Sequence, residues 1–303
     1  MGAVNRRPRP LDSRFGYAQP VSSVPVSHPL APGLYVVATP LGNLEDLSPR
    51  ARKVLRLATI IAAEDTRTSA LLVRLAEGKG RMVSLTDHNV GERIASLLTE
   101  AQEHVVALVS DAGTPAISDP GTPLVEAAHQ QGVRVVPVPG PSALAAGLSA
   151  SGFPAVPSCF LGFLPRTKGE RTALLKQFAP VATTLVIFEN PGRAGRTLLE
   201  LAEVFDDPEV AVCRELTKIH EEVVRGQASG LATRFESARG ECTIVVRTPD
   251  VVRDAKHADL RAYVGEMKRA GARRSSAAAE AARRFGVARD DAYALWDEVA
   301  GSR

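Results

Sequence analysis

Asp111-Ala112-Gly113-Thr114-Pro115-Ala116-Ile117-Ser118-Asp119-Pro120-Gly121 follows the apolar run Val105–Val109 after the single residue Ser110. Glycine lets a backbone approach a ligand closely, proline stiffens a loop and aspartate offers a charged acceptor, so a strand that ends this way reads as a pocket wall. A tight connection with ordinary turn chemistry is the plainer reading of the segment alone.

The pattern repeats. Leu34-Tyr35-Val36-Val37-Ala38 ends in Thr39-Pro40-Leu41-Gly42-Asn43-Leu44, and Thr59-Ile60-Ile61-Ala62-Ala63 ends in Glu64-Asp65-Thr66-Arg67. Met82-Val83-Ser84-Leu85 runs into Thr86-Asp87-His88-Asn89, and Val133-Arg134-Val135-Val136-Pro137-Val138 into Pro139-Gly140-Pro141-Ser142. Helical stretches lie between, such as 48–57, where Ser48 is placed to cap and Pro49 suits the first turn, and 91–103 with Ile94, Leu97 and Leu98 on one face. Strands alternating with helices predict parallel crossovers, which gather the strand carboxyl ends on one sheet edge, where open α/β sheets bind ligands. Neither a G-x-G-x-x-G after the first strand nor a G-x-x-x-x-G-K-[ST] is present, so an ordinary dinucleotide site and a P-loop are not supported.

A chain of 303 residues is long enough for two domains, and 45% hydrophobic with 23% charged residues is the composition of a soluble globular protein. Cys159, Cys213 and Cys242 lie far apart, which argues against a disulfide framework or a zinc site and for buried small side chains. No apolar run has the length of a membrane span and no signal peptide is evident, so the expectation is a cytoplasmic protein without membrane contact.

Residues 1–32 are proline-rich and basic and read as a disordered extension. Residues 33–148 form the expected first α/β domain. A second one, over 149–253, has strand-like Thr184-Leu185-Val186-Ile187-Phe188, Glu209-Val210-Ala211-Val212-Cys213 and Cys242-Thr243-Ile244-Val245-Val246, a helix over 193–205 and a mixed sheet. From 254 to 303 the chain turns rich in Ala and Arg, with helices over 275–285 and 290–299 around Gly286-Val287, a pattern similar to helix-turn-helix.

Seven motifs in order carry a resemblance: Thr39-Pro40-Leu41-Gly42-Asn43-Leu44, Ala63-Glu64-Asp65-Thr66-Arg67, Asp87-His88-Asn89, Leu108-Val109-Ser110-Asp111-Ala112-Gly113-Thr114-Pro115, Val138-Pro139-Gly140-Pro141-Ser142, Gly162-Phe163-Leu164-Pro165 and Arg214-Glu215-Leu216-Thr217-Lys218. Together they resemble the tetrapyrrole-methylase-like family over residues 32–303. Within it they look like the branch that methylates a cytidine ribose 2′-hydroxyl in small-subunit (16S) ribosomal RNA. The resemblance implies an α/β fold of two domains, a parallel-sheet N-domain and a mixed-sheet C-domain, followed by a short helical tail. It also implies S-adenosylmethionine as methyl donor, no metal, small-subunit ribosomal RNA as partner and a homodimer.

The donor is then expected against Pro40, Leu41, Gly42, Asp111, Gly113, Thr114 and Pro115, with Ser142 and Ala143 at a helix start and Phe188 and Leu216 from the second domain. Phe188 reads equally well as a core aromatic. On the acceptor side Glu64, Asp65 and His88 are candidates for the base or for orienting it, and Arg67 and Lys218 for holding phosphate or a developing alkoxide. Glu64, Asp65 and Arg67 also read as an ion pair with a helix cap, and His88 as a hydrogen-bonded loop residue.

Net charge is only +3, but Arg166, Lys168, Arg171, Arg193 and Arg196 gather near the second domain's opening, and Lys268, Arg269, Arg273, Arg274, Arg283, Arg284 and Arg289 in the tail. Arg166, Lys168, Arg193, Arg273 and Arg274 are the expected RNA contacts; a solvated helical appendage or a dimer contact is the other reading of the tail. At Gly192 the chain departs from the family, whose members usually carry histidine before the arginine, and this bears on the acceptor side. Two other functions share parts of this pattern: a precorrin or uroporphyrinogen C-methylase, with the same donor fold, and a non-catalytic ribosome-binding factor.

Overall fold

The computed structural model describes residues 29–179, 181, 183–248 and 251–299, without the side chains of 251–258 and 298. The first sheet is formed by β1 (Gly33–Val37), β2 (Ile60–Ala63), β3 (Arg81–Ser84), β4 (Val105–Val109) and β5 (Val135–Val138) in the order β3-β2-β4-β1-β5. All its pairings are parallel. The crossovers are α1 (Pro49–Leu57), α2 (Thr66–Leu75), α3 (Val90–Glu103) and α4 (Thr122–Gln130). Because side chains alternate along a strand, each strand feeds two cores. Tyr35, Val37, Ile61, Ala63, Ala107 and Val109 meet Val54 and Leu55 of α1 and Leu72 of α2. Leu34, Ile60, Ala62, Val106 and Leu108 meet Leu97 and Leu98 of α3 and Leu124 of α4 on the opposite face.

Ser48 accepts from Ala51 N at 3.1 Å, and Pro49 follows it, so α1 starts as its sequence predicts. Of the proline-rich extension, 1–28 lies outside the described residues. Residues 29–32, in contrast, lie against the first domain: Leu30 packs on its core and Ala31 O accepts from the Tyr35 hydroxyl at 2.8 Å.

Helix α5 (Ala143–Ser151) follows β5 but covers the second sheet, where Leu144 and Leu148 meet Val186, Ala211 and Val245. That sheet contains β6 (Ser158–Phe163), β7 (Thr184–Glu189), β8 (Glu209–Arg214), β9 (Glu222–Gln227) and β10 (Cys242–Arg247) in the order β6-β7-β10-β8-β9. Only the β6–β7 pair is parallel, so the sheet is mixed. Its other face is buried under α6 (Lys168–Lys176), α7 (Pro191–Phe205) and α8 (Ala228–Ala232), with Leu175, Leu198, Leu201 and Phe235 at the centre. The tail folds on itself as α9 (Val251–Arg269), α10 (Arg274–Phe285) and α11 (Arg289–Glu298), around Leu260, Val264, Ala278, Ala281, Ala292 and Leu295. The boundaries 148/149 and 253/254 fall within α5 and α9. Among the described residues no helix is long and apolar enough to cross a membrane.

Candidate functional site

The carboxyl ends of β1, β4 and β5 are laced together. Thr39 N donates to Gly113 O at 2.8 Å and Gly113 N to Thr39 O at 3.1 Å, a two-bond bridge between the loops after β1 and β4. The Thr39 hydroxyl, fully buried, donates to Ser110 O at 3.1 Å. Thr114 Oγ1 donates to Pro141 O at 3.0 Å and brings in the loop after β5. Gly113 sits at φ +82°, and a Cβ there would meet Leu41 Cδ2 at 3.2 Å, which accounts for glycine in this loop. The loop after β2 joins through Asp111 Oδ1, which accepts from Asp65 N at 3.0 Å.

These loops form one wall of a cleft of about 440 Å³, closed on the other side by β7, the start of α7 and the residues before and in β10. Leu41, Glu64, Asp111 and Ala143 line it from the first domain and from α5, Phe188 from the second. Thus four of the expected donor contacts and one of the expected acid–base residues share a single cavity. Pro40, Gly113 and Pro115 are buried behind the wall, and Ser142 caps α5 by accepting from Ala145 N. Thr114, Gly42 and Leu216 also lie outside the lining.

The cleft is acidic. Asp119, with Asp111 and Glu64, lines it; its Oδ1 accepts from Gly121 N at 2.8 Å, while its Oδ2 is buried without a hydrogen-bond partner among the described residues. Ala116 and Ser118, on either side of the lining residue Ile117, have φ of 64° and 62°, a left-handed conformation that typically costs non-glycine residues about 1–3 kcal/mol each. Glu64 stands in the mouth of the cleft, where partial loss of hydration, then the charges of Asp111, Asp119, Asp87 and Asp65, raise its pKa.

The other residues expected on the acceptor side do not line the cleft. Asp65 caps α2, accepting from Arg67 N at 2.8 Å, and pairs with the Arg67 guanidinium at 2.8 Å; these bonds pull its pKa to about 2. The ion-pair-and-cap reading therefore describes Asp65 and Arg67, and Arg67 points into solvent with 90% of its side chain exposed. His88 is exposed in the turn before α3. Lys218 bonds Glu215 at 2.9 Å and Glu241 at 3.2 Å. Burial pulls its pKa down, but those partners outweigh it and hold it above the usual value, so Lys218 is kept as a cation. Its aliphatic stem crosses Gly42, where any Cβ would collide with it. Lys218 and Gly42 are thus a contact between the two domains.

Sequence reading gave no site role to Asp119, Phe163, Glu189, Asn190 or Glu241, all of which line the cleft. Asp119 belongs to the opening segment and carried a signal; Asn190-Pro191 marks a helix start, at which Asn190 accepts from Gly192 N at 3.0 Å. Phe163 stands in the motif Gly162-Phe163-Leu164-Pro165, whereas Glu189 and Glu241 come from strand ends in a sheet whose order no local pattern reveals. Cys242 lines the cleft too, but burial pushes its thiol up to about 12, which leaves it un-ionised and a poor nucleophile. Among the described residues no group of His, Cys, Asp and Glu is arranged to hold a metal ion.

The basic residues divide. Arg166 and Arg193 border a second groove, of about 660 Å³, that adjoins the cleft through Phe163 and Asn190. Lys168 is exposed and pairs with Glu203 at 3.1 Å. Arg171 corrects the expected cluster: it is 3% exposed and bonded to Glu200, so it cannot face RNA. Arg273 is exposed, whereas Arg274 lies over the Tyr293 ring at 3.9 Å and pairs with Asp297, within the tail.

The model of the tetrapyrrole (corrin/porphyrin) methylases matches residues 33–232. A protein of Thermotoga maritima named ribosomal RNA small subunit methyltransferase I is 44% identical over 216 residues, 70% of this chain and 97% of its own. One of the same name from Mycobacterium bovis is 41% identical over 257 residues, covering 82% of this chain and 88% of its own. Among solved structures, a diphthine synthase superposes with a TM-score of 0.57 at 16% identity, over 71% of this chain and 89% of its own. A cobalt precorrin-4 methyltransferase does so at 0.55 and 18%, over 71% and 94%; these two share the fold. Family match, relatives and architecture agree, and the chain belongs to the tetrapyrrole (corrin/porphyrin) methylases.

Proposed function

We propose that this protein uses S-adenosylmethionine to methylate the ribose 2′-hydroxyl of a cytidine in small-subunit (16S) ribosomal RNA, acting in the cytoplasm as a homodimer. The observation that carries the RNA reading is the 44% identity along 97% of a relative named for small-subunit ribosomal RNA.

The cleft fits the donor. About 440 Å³ is within the roughly 300–1,000 Å³ usual for small-molecule sites. Its carboxylates suit a cation, Asp119 Oδ2 is left without a protein donor among the described residues, and the Gly113 backbone lies against Leu41. Leu41, Asp111, Ala143 and Phe188 would hold the molecule, which when bound supplies a methyl group on a positively charged sulfur. On the acceptor side Glu64 receives the 2′-hydroxyl proton on its carboxylate. Its raised pKa makes it a stronger base than Asp65, whose oxygens are committed to Arg67.

Gly113→Val should weaken donor binding at least ten-fold, because the branched side chain must adopt a left-handed backbone and press on Leu41. Calorimetric titration with S-adenosylmethionine reads this directly, with Asp111→Ala as a second arm. Unchanged affinity in both variants would remove the donor from this wall.

The reaction itself is tested by supplying labelled donor together with unmodified small subunits or tetrapyrrole precursors. A 2′-O-methyl group removes the hydroxyl that attacks the neighbouring phosphodiester in alkali, so label should persist in an alkali-resistant dinucleotide. Label found only in the tetrapyrrole identifies a C-methylase and refutes the proposal.

A further inference from the structure

Beside the cleft, β6 ends in Phe163, a large apolar ring left 57% exposed. Gly162, at φ +63°, accompanies a register shift between Phe160 and Gly162 just before it. The Phe163 ring rests edge-on against Phe188 at 5.7 Å, and Phe188 is held in turn by Phe160 at 4.7 Å. Phe163 and Asn190 belong both to the cleft and to the adjoining groove, whose remaining lining is Leu164, Arg166, Gly192 and Arg193. At Gly192 a Cβ would approach only Asn190 Oδ1, at 3.4 Å, so the groove has open backbone there.

One of its two cations is set in place. Arg193 donates through Nε to Glu189 Oε1 at 2.8 Å and pairs with the same oxygen through Nη2 at 2.7 Å. The Glu189 side chain is fully buried and fixed by Thr197 Oγ1 at 2.7 Å and by Asn190 N at 2.6 Å. The Arg166 backbone is anchored by Arg171, which donates to its carbonyl at 2.7 Å, while its side chain lies in solvent.

An exposed ring flanked by two arginines has the chemistry of a single-stranded nucleotide site: a π-face for a base and cations for the adjoining phosphates. We infer that this groove receives the acceptor nucleotide unpaired, its base stacked on Phe163 and its flanking phosphates on Arg193 and Arg166. This rests on the RNA reading above. Such a placement sets the ribose at the rim shared with the cleft, beside Asn190. Glu189 is a positioning residue that acts through Arg193.

The test measures binding of unmodified small subunits without donor, so that Phe163's share in the cleft does not enter. Phe163→Ala should weaken binding about ten-fold, in the range found when a base loses its aromatic partner. Phe163→Leu keeps apolar bulk against Phe188 but has no π-face, and should weaken it similarly, whereas Phe163→Trp should retain it. In a salt series the slope for Arg193→Ala should be shallower by about 0.7 for one lost phosphate contact on a single strand. Glu189→Gln should flatten it too, and the double variant no further than Arg193→Ala alone. If wild-type protein methylates the subunit while the Leu variant binds as tightly as wild type, the stacking site is wrong and the RNA reading stands. If wild-type protein transfers no methyl group to RNA, both fall.

Discussion

Glu64→Gln should lower the single-turnover rate of methyl transfer by about 10²–10⁴-fold at saturating donor, the usual contribution of a positioned proton acceptor. Glutamine preserves the shape but has no carboxylate to take the proton. In the wild-type enzyme the rate should fall as pH drops through the pKa of Glu64, which lies above its ordinary value of 4.5 because of lost hydration and the four neighbouring carboxylates. That acid limb should be missing from the residual activity of the variant. The stability effect has the opposite sense. A carboxyl whose native pKa is raised favours the fold fully below its unfolded value, and that contribution is lost as pH rises through the native one. At neutral pH, then, Glu64→Gln should unfold no more easily than wild type, and its advantage should shrink on acidification. A variant with wild-type turnover and an unchanged acid limb would remove Glu64 from the chemistry.

Arg171→Ala should destabilise the second domain by about 3–5 kcal/mol, since it strands a buried carboxylate. The Arg171 and Glu200 side chains are 4% and 3% exposed and share two bonds of 2.6 Å. The same guanidinium donates to Pro165 O and Arg166 O and so ties the chain entering α6 to α7. Replacing both partners, with Arg171→Met and Glu200→Leu, should recover most of the loss, because no unpaired charge is then left inside. Urea unfolding monitored by far-UV circular dichroism checks both, with the two domains allowed separate transitions. If the single variant has the wild-type midpoint, or the double variant is the weaker of the two, the pair is not what holds α6 on α7.

The first sheet was legible because parallel strands buried on both faces read as apolar runs, and each ends in polar residues that the topology gathers on one edge. In the second sheet three strands were visible and two were not. β6 is interrupted at Gly162, and the edge strand β9, Glu-Val-Val-Arg-Gly-Gln, is half polar with one face in solvent. The site divided in the same way. Leu41 and Asp111 lie on loops whose composition marks them as ligand-facing, and Ala143 opens α5 directly after such a loop. Glu189 and Glu241 owe their place to antiparallel pairing between distant strands, which leaves no local trace. Charge misled at Arg171, which read as a surface cation but is buried against Glu200, 29 residues away.

The lacing of Thr39 to Gly113 and of Thr114 to Pro141 is made of bonds from the protein to itself. Ordering a loop on binding costs roughly 1–2 kcal/mol per backbone residue, and a ligand that meets an already ordered wall is spared it. Preorganisation of this kind places the entropic cost of the site in folding and not in recognition. Donor association should therefore leave amide hydrogen exchange in residues 39–42 and 111–115 almost unaltered.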